Sequence, residues 1–234
     1  MNQRIVVTGA GRGIGLGIAK KLITEGHEVW GTARNPDSAT ELAEAGAAGV
    51  LTLDVGDTDS IEAFARDLAA RVDSIDTLIN NAGMTSADLG VDRRAQGPLS
   101  TTKEVVLRQI EVNAVGPMLV TQALRPMLGK GTNPVVLNIS SQLGSMVVGA
   151  QMPFDVGYNA SKSVVNMLTV MSATADKDVA YVAIHPGWVQ SDMGGPKAAI
   201  SVDESAEGIV NTLHGLTRAD SGRFVKLDGT DHPW

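Results

Sequence analysis

Residues 4–15, Arg4-Ile5-Val6-Val7-Thr8-Gly9-Ala10-Gly11-Arg12-Gly13-Ile14-Gly15, decide the fold. Arg4 to Thr8 is a short β-branched run, and Ile18, Leu22 and Ile23 beyond the glycines recur at helical spacing. The segment therefore reads as strand, glycine-rich turn, helix. Gly9 permits the tight turn, Gly13 lets backbone approach a ligand, and Gly15 allows helix to pack closely on strand. The first amides of such a helix have no intrahelical partner and point at an anion, and a pyrophosphate fits. The spacing Gly9-x3-Gly13-x-Gly15 departs from G-x-G-x-x-G, and a turn that merely packs is the alternative.

Outward from this turn, strand and helix patterns alternate. Strands are expected at Ile5–Val7, Glu28–Gly31, Gly49–Leu53, Thr77–Asn80, Pro134–Ile139, Val179–Ile184 and Arg223–Lys226. Helices are expected at Gly13–Glu25, Asp37–Ala45, Thr58–Arg71, Lys103–Leu128, Gly157–Thr174 and Asp203–Leu216. The alternation predicts a parallel sheet with helices on both faces, a doubly wound α/β fold of Rossmann type. With 234 residues, 43% of them hydrophobic, the chain suffices for one large core, so residues 1–234 read as a single domain. Three long loops, Met84–Ser100, Gln142–Val156 and Pro186–Val202, leave the carboxyl side of the sheet, where doubly wound folds bind ligands.

Composition narrows the functional classes. The absence of cysteine excludes disulfides and thiolate metal sites, and His27, His185, His214 and His232 lack ligand spacing, so no metal site is expected. A net charge of -7 opposes non-specific nucleic-acid binding, and Arg93-Arg94 reads as a solvated loop pair. No apolar stretch approaches about 18 residues, and the first strand begins almost at Met1, so no membrane span or signal peptide is expected and the location reads as cytoplasmic. Met146, Met152, Met167 and Met171 are expected to serve packing.

The run Tyr158-Asn159-Ala160-Ser161-Lys162 adds chemistry. A helical spacing of four stacks the phenol and the ammonium on one face. At roughly 4 Å and an effective dielectric of about 20 they are coupled by about 4 kcal/mol, or about three pKa units. Such coupling brings a phenol towards neutral pH, where it trades a proton with a carbonyl oxygen. The second strand ends Trp30-Gly31-Thr32-Ala33-Arg34 with no acid until Asp37, which suits a ribose 2′-phosphate, gripped by Arg34 and closed upon by Arg12, better than a free 2′-hydroxyl. A solvated Arg34 is the alternative.

Taken together, the chain resembles the short-chain dehydrogenase/reductase family, in its compact single-domain branch, over essentially its whole length. The resemblance rests on Thr8-Gly9-x3-Gly13-x-Gly15, Asp54, Asn80-Asn81-Ala82-Gly83, Asn113 in mid-helix, Ser141 after the fifth strand, Tyr158-x3-Lys162 and Pro186-Gly187. Within the family, Ser140 to Ser145, His185 to Val189, and the tail Gly229 to Trp234 are similar to sniffer-type carbonyl reductases and C-factor-like proteins.

The resemblance implies an NADP(H)-dependent carbonyl reductase or alcohol dehydrogenase with Asn113, Ser141, Tyr158 and Lys162 as catalytic residues. Tyr158 donates the proton, Ser141 holds the carbonyl oxygen, Lys162 depresses the Tyr158 pKa and holds the ribose, and Asn113 orders a water that relays protons to Lys162. The implied cofactor contacts are Gly9, Arg12, Gly13, Ile14, Gly15, Arg34, Asp54, Val55, Asn81, Ala82, Gly83, Tyr158, Lys162, Pro186, Gly187 and Val189. Each has a bland rival: Asp54 as a cap for the next turn, Asn80 to Gly83 as an ordinary turn. Ser145 competes with Ser141, because it lies closer to the family's usual distance before the tyrosine.

The family also pairs its long helices two-fold, so a homo-oligomer, dimer or tetramer, is expected. The expected partner is a small carbonyl or alcohol substrate, without nucleic acid or membrane. Leu143, Met146, Val147, Met152, Phe154, Trp188 and Met193 form its expected pocket walls, an apolar set without an Arg or Lys clamp, which favours neutral substrates. A 3-oxoacyl thioester reductase and an NADP(H)-binding regulator with little turnover are the alternatives.

Overall fold

The glycine-rich segment folds as strand β1 (Arg4–Val7), a turn, and helix α1 (Gly13–Thr24). The structure, a computed structural model that describes residues 2–234, continues the alternation. Next come β2 (Glu28–Ala33), α2 (Thr40–Glu44), β3 (Gly49–Thr52), α3 (Thr58–Ala69) and β4 (Thr77–Asn80). Then follow α4 (Lys103–Ile110), α5 (Gly116–Leu128), β5 (Val135–Ile139), α6 (Val156–Ala175), β6 (Ala180–His185), α7 (Val202–Gly215) and β7 (Phe224–Lys226).

The described strands form one sheet in the order β3-β2-β1-β4-β5-β6-β7, with every neighbour parallel. The order reverses between β1 and β4, which opens a crevice at their carboxyl ends. Alternating strand residues feed two cores: Ile5 and Val7 face one with Ile18 and Leu22, while Val6 faces the other with Phe64 and Leu124. Each such side chain, fully buried, contributes about 1.5–3 kcal/mol.

Two helices differ from the sequence reading. Instead of one helix over Lys103–Leu128, a π-helical turn at Glu111–Val115 separates α4 from α5. Gly116 must pass the Val55 carbonyl, where an added Cβ would stand 2.2 Å from oxygen, and the buried Asn113 amide bonds sideways instead of facing solvent. The segment expected as a helix over Asp37–Ala45 is a short 3₁₀ turn, Pro36–Ser38, followed by α2. Asn35 caps that turn by accepting the Asp37 amide hydrogen, which restarts the helix three residues late.

Candidate active site

β1 delivers the glycine turn to the crevice. Gly9 (φ 63°) and Gly13 (φ 56°) occupy left-handed backbone that glycine adopts without strain. A Cβ on Gly9 would lie 2.9 Å from the Ala82 Cα, so the turn is pressed against the segment after β4. A Cβ on Gly13 would make only an ordinary contact, with Ser191 Cβ at 3.8 Å. No side chain caps α1, which leaves the amides of Gly13, Ile14 and Gly15 directed at the crevice.

Asn81 serves the turn itself. Its amide donates to the Thr8 and Gly9 carbonyls at 2.9 and 3.1 Å, and the Thr8 hydroxyl accepts the Asn81 and Ala82 amide hydrogens. Asp54 Oδ1 accepts the Gly56 amide hydrogen at 2.8 Å, so the turn-capping alternative describes that oxygen, while Val55 is buried against Gly116. Pro186 follows β6 and accepts the Ser205 hydroxyl at 2.7 Å; Gly187 has φ 86°, and the buried Val189 bridges to Ile200. Arg34 is exposed and has no carboxylate partner among the described residues. Arg12, expected to face Arg34 across a phosphate, is ion-paired with Asp192.

The second half of the site is built on β5 and α6. Ser141, two residues beyond β5, caps the turn Gln142–Gly144, and its hydroxyl faces the Tyr158 phenol. Ser145 is committed elsewhere: its hydroxyl donates to the Trp234 carbonyl and accepts the Val147 and Val148 amide hydrogens. Lys162 Nζ lies 5.6 Å from the Tyr158 ring centre and donates to the Ile139 carbonyl at 2.7 Å. Asn113, buried, accepts the Met84 amide hydrogen at 2.7 Å and donates to the Met84 carbonyl and Ser161 hydroxyl, both at 2.9 Å. It thereby ties the π turn to the loop after β4 and to α6.

The electrostatics correct one expectation. Burial pushes the Tyr158 phenol above its ordinary value, and the forces opposing that rise are Arg93 and the Ser141 hydroxyl, not Lys162. Lys162 is itself buried, which pushes its ammonium down to about 8. His185 is pushed down to about 4 by burial and by His232 and Lys226 nearby.

Arg93 is therefore no solvated loop residue. It bonds the fully buried Asp155 at 2.7 Å and the Met193 carbonyl at 3.0 Å, and its guanidinium carbon lies 5.7 Å from the Tyr158 ring centre. Gln109 of α4 supports Asp155 from behind at 2.9 Å. These three residues were missed because their partners lie 46 to 100 positions apart, beyond any local pattern. Three methionines also depart from expectation, since Met146, Met167 and Met171 are 75%, 61% and 58% exposed instead of packed. The histidines yield one grouping that spacing did not show: Glu25, His27 and His214 converge at the far end of α1, but His27 Nδ1 already accepts the Gln3 amide hydrogen and His214 bonds Glu25. No helix among the described residues is long and apolar enough to cross a membrane.

Similarity to known proteins agrees with this layout. The NADPH-bound carbonyl reductase from chicken fatty liver superposes with a TM-score of 0.90 at 32% identity, covering 100% of this chain and 99% of that one. The carbonyl reductase Sniffer of D. melanogaster gives 0.89 at 28%, with both chains fully covered. C-signal of Myxococcus xanthus is 33% identical over 165 residues, 68% of this chain and 93% of that protein. Residues 3–200 match the family model for short chain dehydrogenases. With its parallel seven-stranded sheet, glycine turn and Tyr158–Lys162 helix, the chain belongs to the short-chain dehydrogenase family of oxidoreductases.

Proposed function

We propose that the protein is an NADP(H)-dependent carbonyl reductase, acting reversibly on a neutral, apolar carbonyl compound or its alcohol. The observation that carries this reading is the convergence of Ser141, Tyr158 and Lys162 beside the uncapped start of α1. Free amides at the start of α1 and the left-handed glycine backbone before it suit a pyrophosphate, and Arg34 suits a 2′-phosphate. The likeness to an NADPH-bound carbonyl reductase supports the same cofactor. When bound, the dinucleotide supplies hydride chemistry.

Tyr158 passes its phenolic proton to the carbonyl oxygen, so charge there never fully accumulates. Ser141 donates a second hydrogen bond to that oxygen and fixes its direction. Lys162 binds the ribose side of the cofactor and returns protons to Tyr158, and Asn113 holds the π turn beside it. Gly9, Ile14, Gly15, Ala82, Gly83, Pro186, Gly187 and Val189 shape the cofactor's bed.

A cytoplasmic enzyme paired through α4 and α6 belongs to this reading, since Leu107, Met167 and Met171 remain exposed on those helices. The test is a screen of NADPH oxidation with neutral aldehydes, ketones and quinones, with Tyr158→Phe as control. Likeness to C-signal favours one second reading, a regulator that binds NADP(H) with little turnover. Tight NADPH binding with no turnover across that screen would select it.

A further inference from the structure

We propose that Arg93, held by Asp155, is a positioning residue that acts through Tyr158, stabilising the phenolate left when the tyrosine gives up its proton. The inference rests on the catalytic role of Tyr158 proposed above. Its basis is geometric. Arg93 lies in the loop after β4, 65 positions before Tyr158, yet its guanidinium carbon is 5.7 Å from the phenol ring centre and 5.9 Å from that of Phe154.

Three anchors fix it there. Nε donates to Asp155 Oδ2 at 2.7 Å, one terminal nitrogen donates to the Met193 carbonyl at 3.0 Å, and the Arg93 carbonyl accepts the Asp155 amide hydrogen at 3.0 Å. Asp155 is in turn built for this contact. It is fully buried at the start of α6, holds a left-handed φ of 50°, and receives Gln109 on its other oxygen. A non-glycine residue in that conformation stores strain, which the surrounding contacts offset.

In the reducing direction, the O–H bond of Tyr158 breaks as the carbonyl oxygen takes its proton. The carbonyl carbon gains hydride from the reduced nicotinamide dinucleotide, and a proton from solvent, passed through Lys162, later restores the phenol. During that interval a negative oxygen stands in a buried site, and a fixed cation nearby lowers its energy. The charged groups facing the phenol are Arg93 from the loop after β4, Asp155 at the start of α6 and Lys162 one turn along α6; α4 contributes only the neutral Gln109. Of the opposing charges, Arg93 favours the phenolate more than Asp155 disfavours it.

The chain contains two tyrosines, which makes the test direct. Tyr181 donates to Asp176 at 2.8 Å, and burial with that carboxylate raises it beyond the usual tyrosine range; because burial raises Tyr158 as well, the titration is read in a Tyr181→Phe background, where tyrosinate absorbance reports Tyr158 alone. Adding Tyr158→Phe to that background should abolish the transition. In the full chain without cofactor, Arg93→Gln should raise the midpoint by at least about half a pH unit, Arg93→Lys by less, and Asp155→Asn should lower it.

Where turnover is measurable, Arg93→Gln should lower kcat at neutral pH by about threefold or more with KM nearly unchanged, and shift the pH–rate profile with the midpoint. A midpoint unmoved in Arg93→Gln, or raised in Asp155→Asn, overturns the proposal. If Arg93→Gln does not fold, Arg93→Lys and Asp155→Asn decide by the same signs. The titration needs no substrate, so an absence of carbonyl reduction would count against the enzymatic reading and leave this result standing by itself.

Discussion

Arg12, at the mouth of the glycine turn, is ion-paired with Asp192, which belongs to the loop after β6. The two side chains are 67% and 77% exposed, so their pair contributes no more than about 1 kcal/mol. It nevertheless occupies the guanidinium that the 2′-phosphate would use. Asp192→Ala should tighten NADPH binding by about threefold and leave NADH binding nearly unchanged. Titration of both dinucleotides by fluorescence checks this, and equal gains for the two would refute it.

The same two-arginine reading predicts at least about tenfold preference for NADPH over NADH, or about 1.4 kcal/mol. Replacing Arg12 and Arg34 together by alanine should erase most of that preference while NADH turnover persists. Retained selectivity in the double variant would show that other groups read the phosphate.

Tyr158→Phe should cut turnover at least about a hundredfold, with NADPH affinity within a few-fold of the parent. Lys162→Met should damage both, because Lys162 is placed to serve cofactor and proton transfer. Steady-state rates and direct cofactor titration separate the outcomes.

Stability should depend on pH in two windows. Lys162 has a folded pKa of about 8, below its ordinary 10.5, so between these values the unfolded chain holds a proton that the native chain lacks. Stability therefore rises with pH across that window and is lost as pH falls through about 8. Lys162→Met should flatten this rise, visible as a smaller change in unfolding free energy between pH 8 and 10. His185, depressed from 6.5 to about 4, has the same sign at lower pH, so stability is lost as pH falls from 6.5 towards 4. His185→Gln should remove that part of the acid sensitivity.

Gly144→Ala should disturb the site without replacing any polar side chain. The added methyl would stand 2.6 Å from the Lys162 carbonyl carbon and 2.8 Å from its oxygen, and backbone yields poorly. A cost of about 1–3 kcal/mol in stability, together with at least about tenfold loss of kcat, is expected. Thermal unfolding and turnover measured on the same preparation check it.

The sheet was legible because β-branched runs and a glycine turn act locally: every expected strand appears within about one or two residues. Tyr158 and Lys162 were legible for the same reason, since helical spacing alone places them together. The π turn was not, because it results from Gly116 meeting Val55 and Asn113 meeting Met84, contacts 61 and 29 positions apart. Arg93 escaped for a related reason: a charge in a polar loop reads as solvated until its buried partner 62 positions away is known. The apolar pocket list was incomplete on that account, although the Asp155 carboxylate neutralises the Arg93 charge and the expected preference for neutral substrates stands as a proposal.

The π turn at Glu111–Val115 also makes chain length a variable of the site. Such a turn holds one residue more than an α-helix needs, and one residue is worth a rotation of about 100° about the axis. The π turn absorbs that rotation locally, so deleting one residue there would let the hydrogen-bond ladder run unbroken with α5 still in phase with α4, and what would be lost is the bulge that holds Asn113 against Met84 and Ser161. The helical stretch thus carries a local insert whose extra residue aims one buried amide while the packing faces of the helices on either side stay in register.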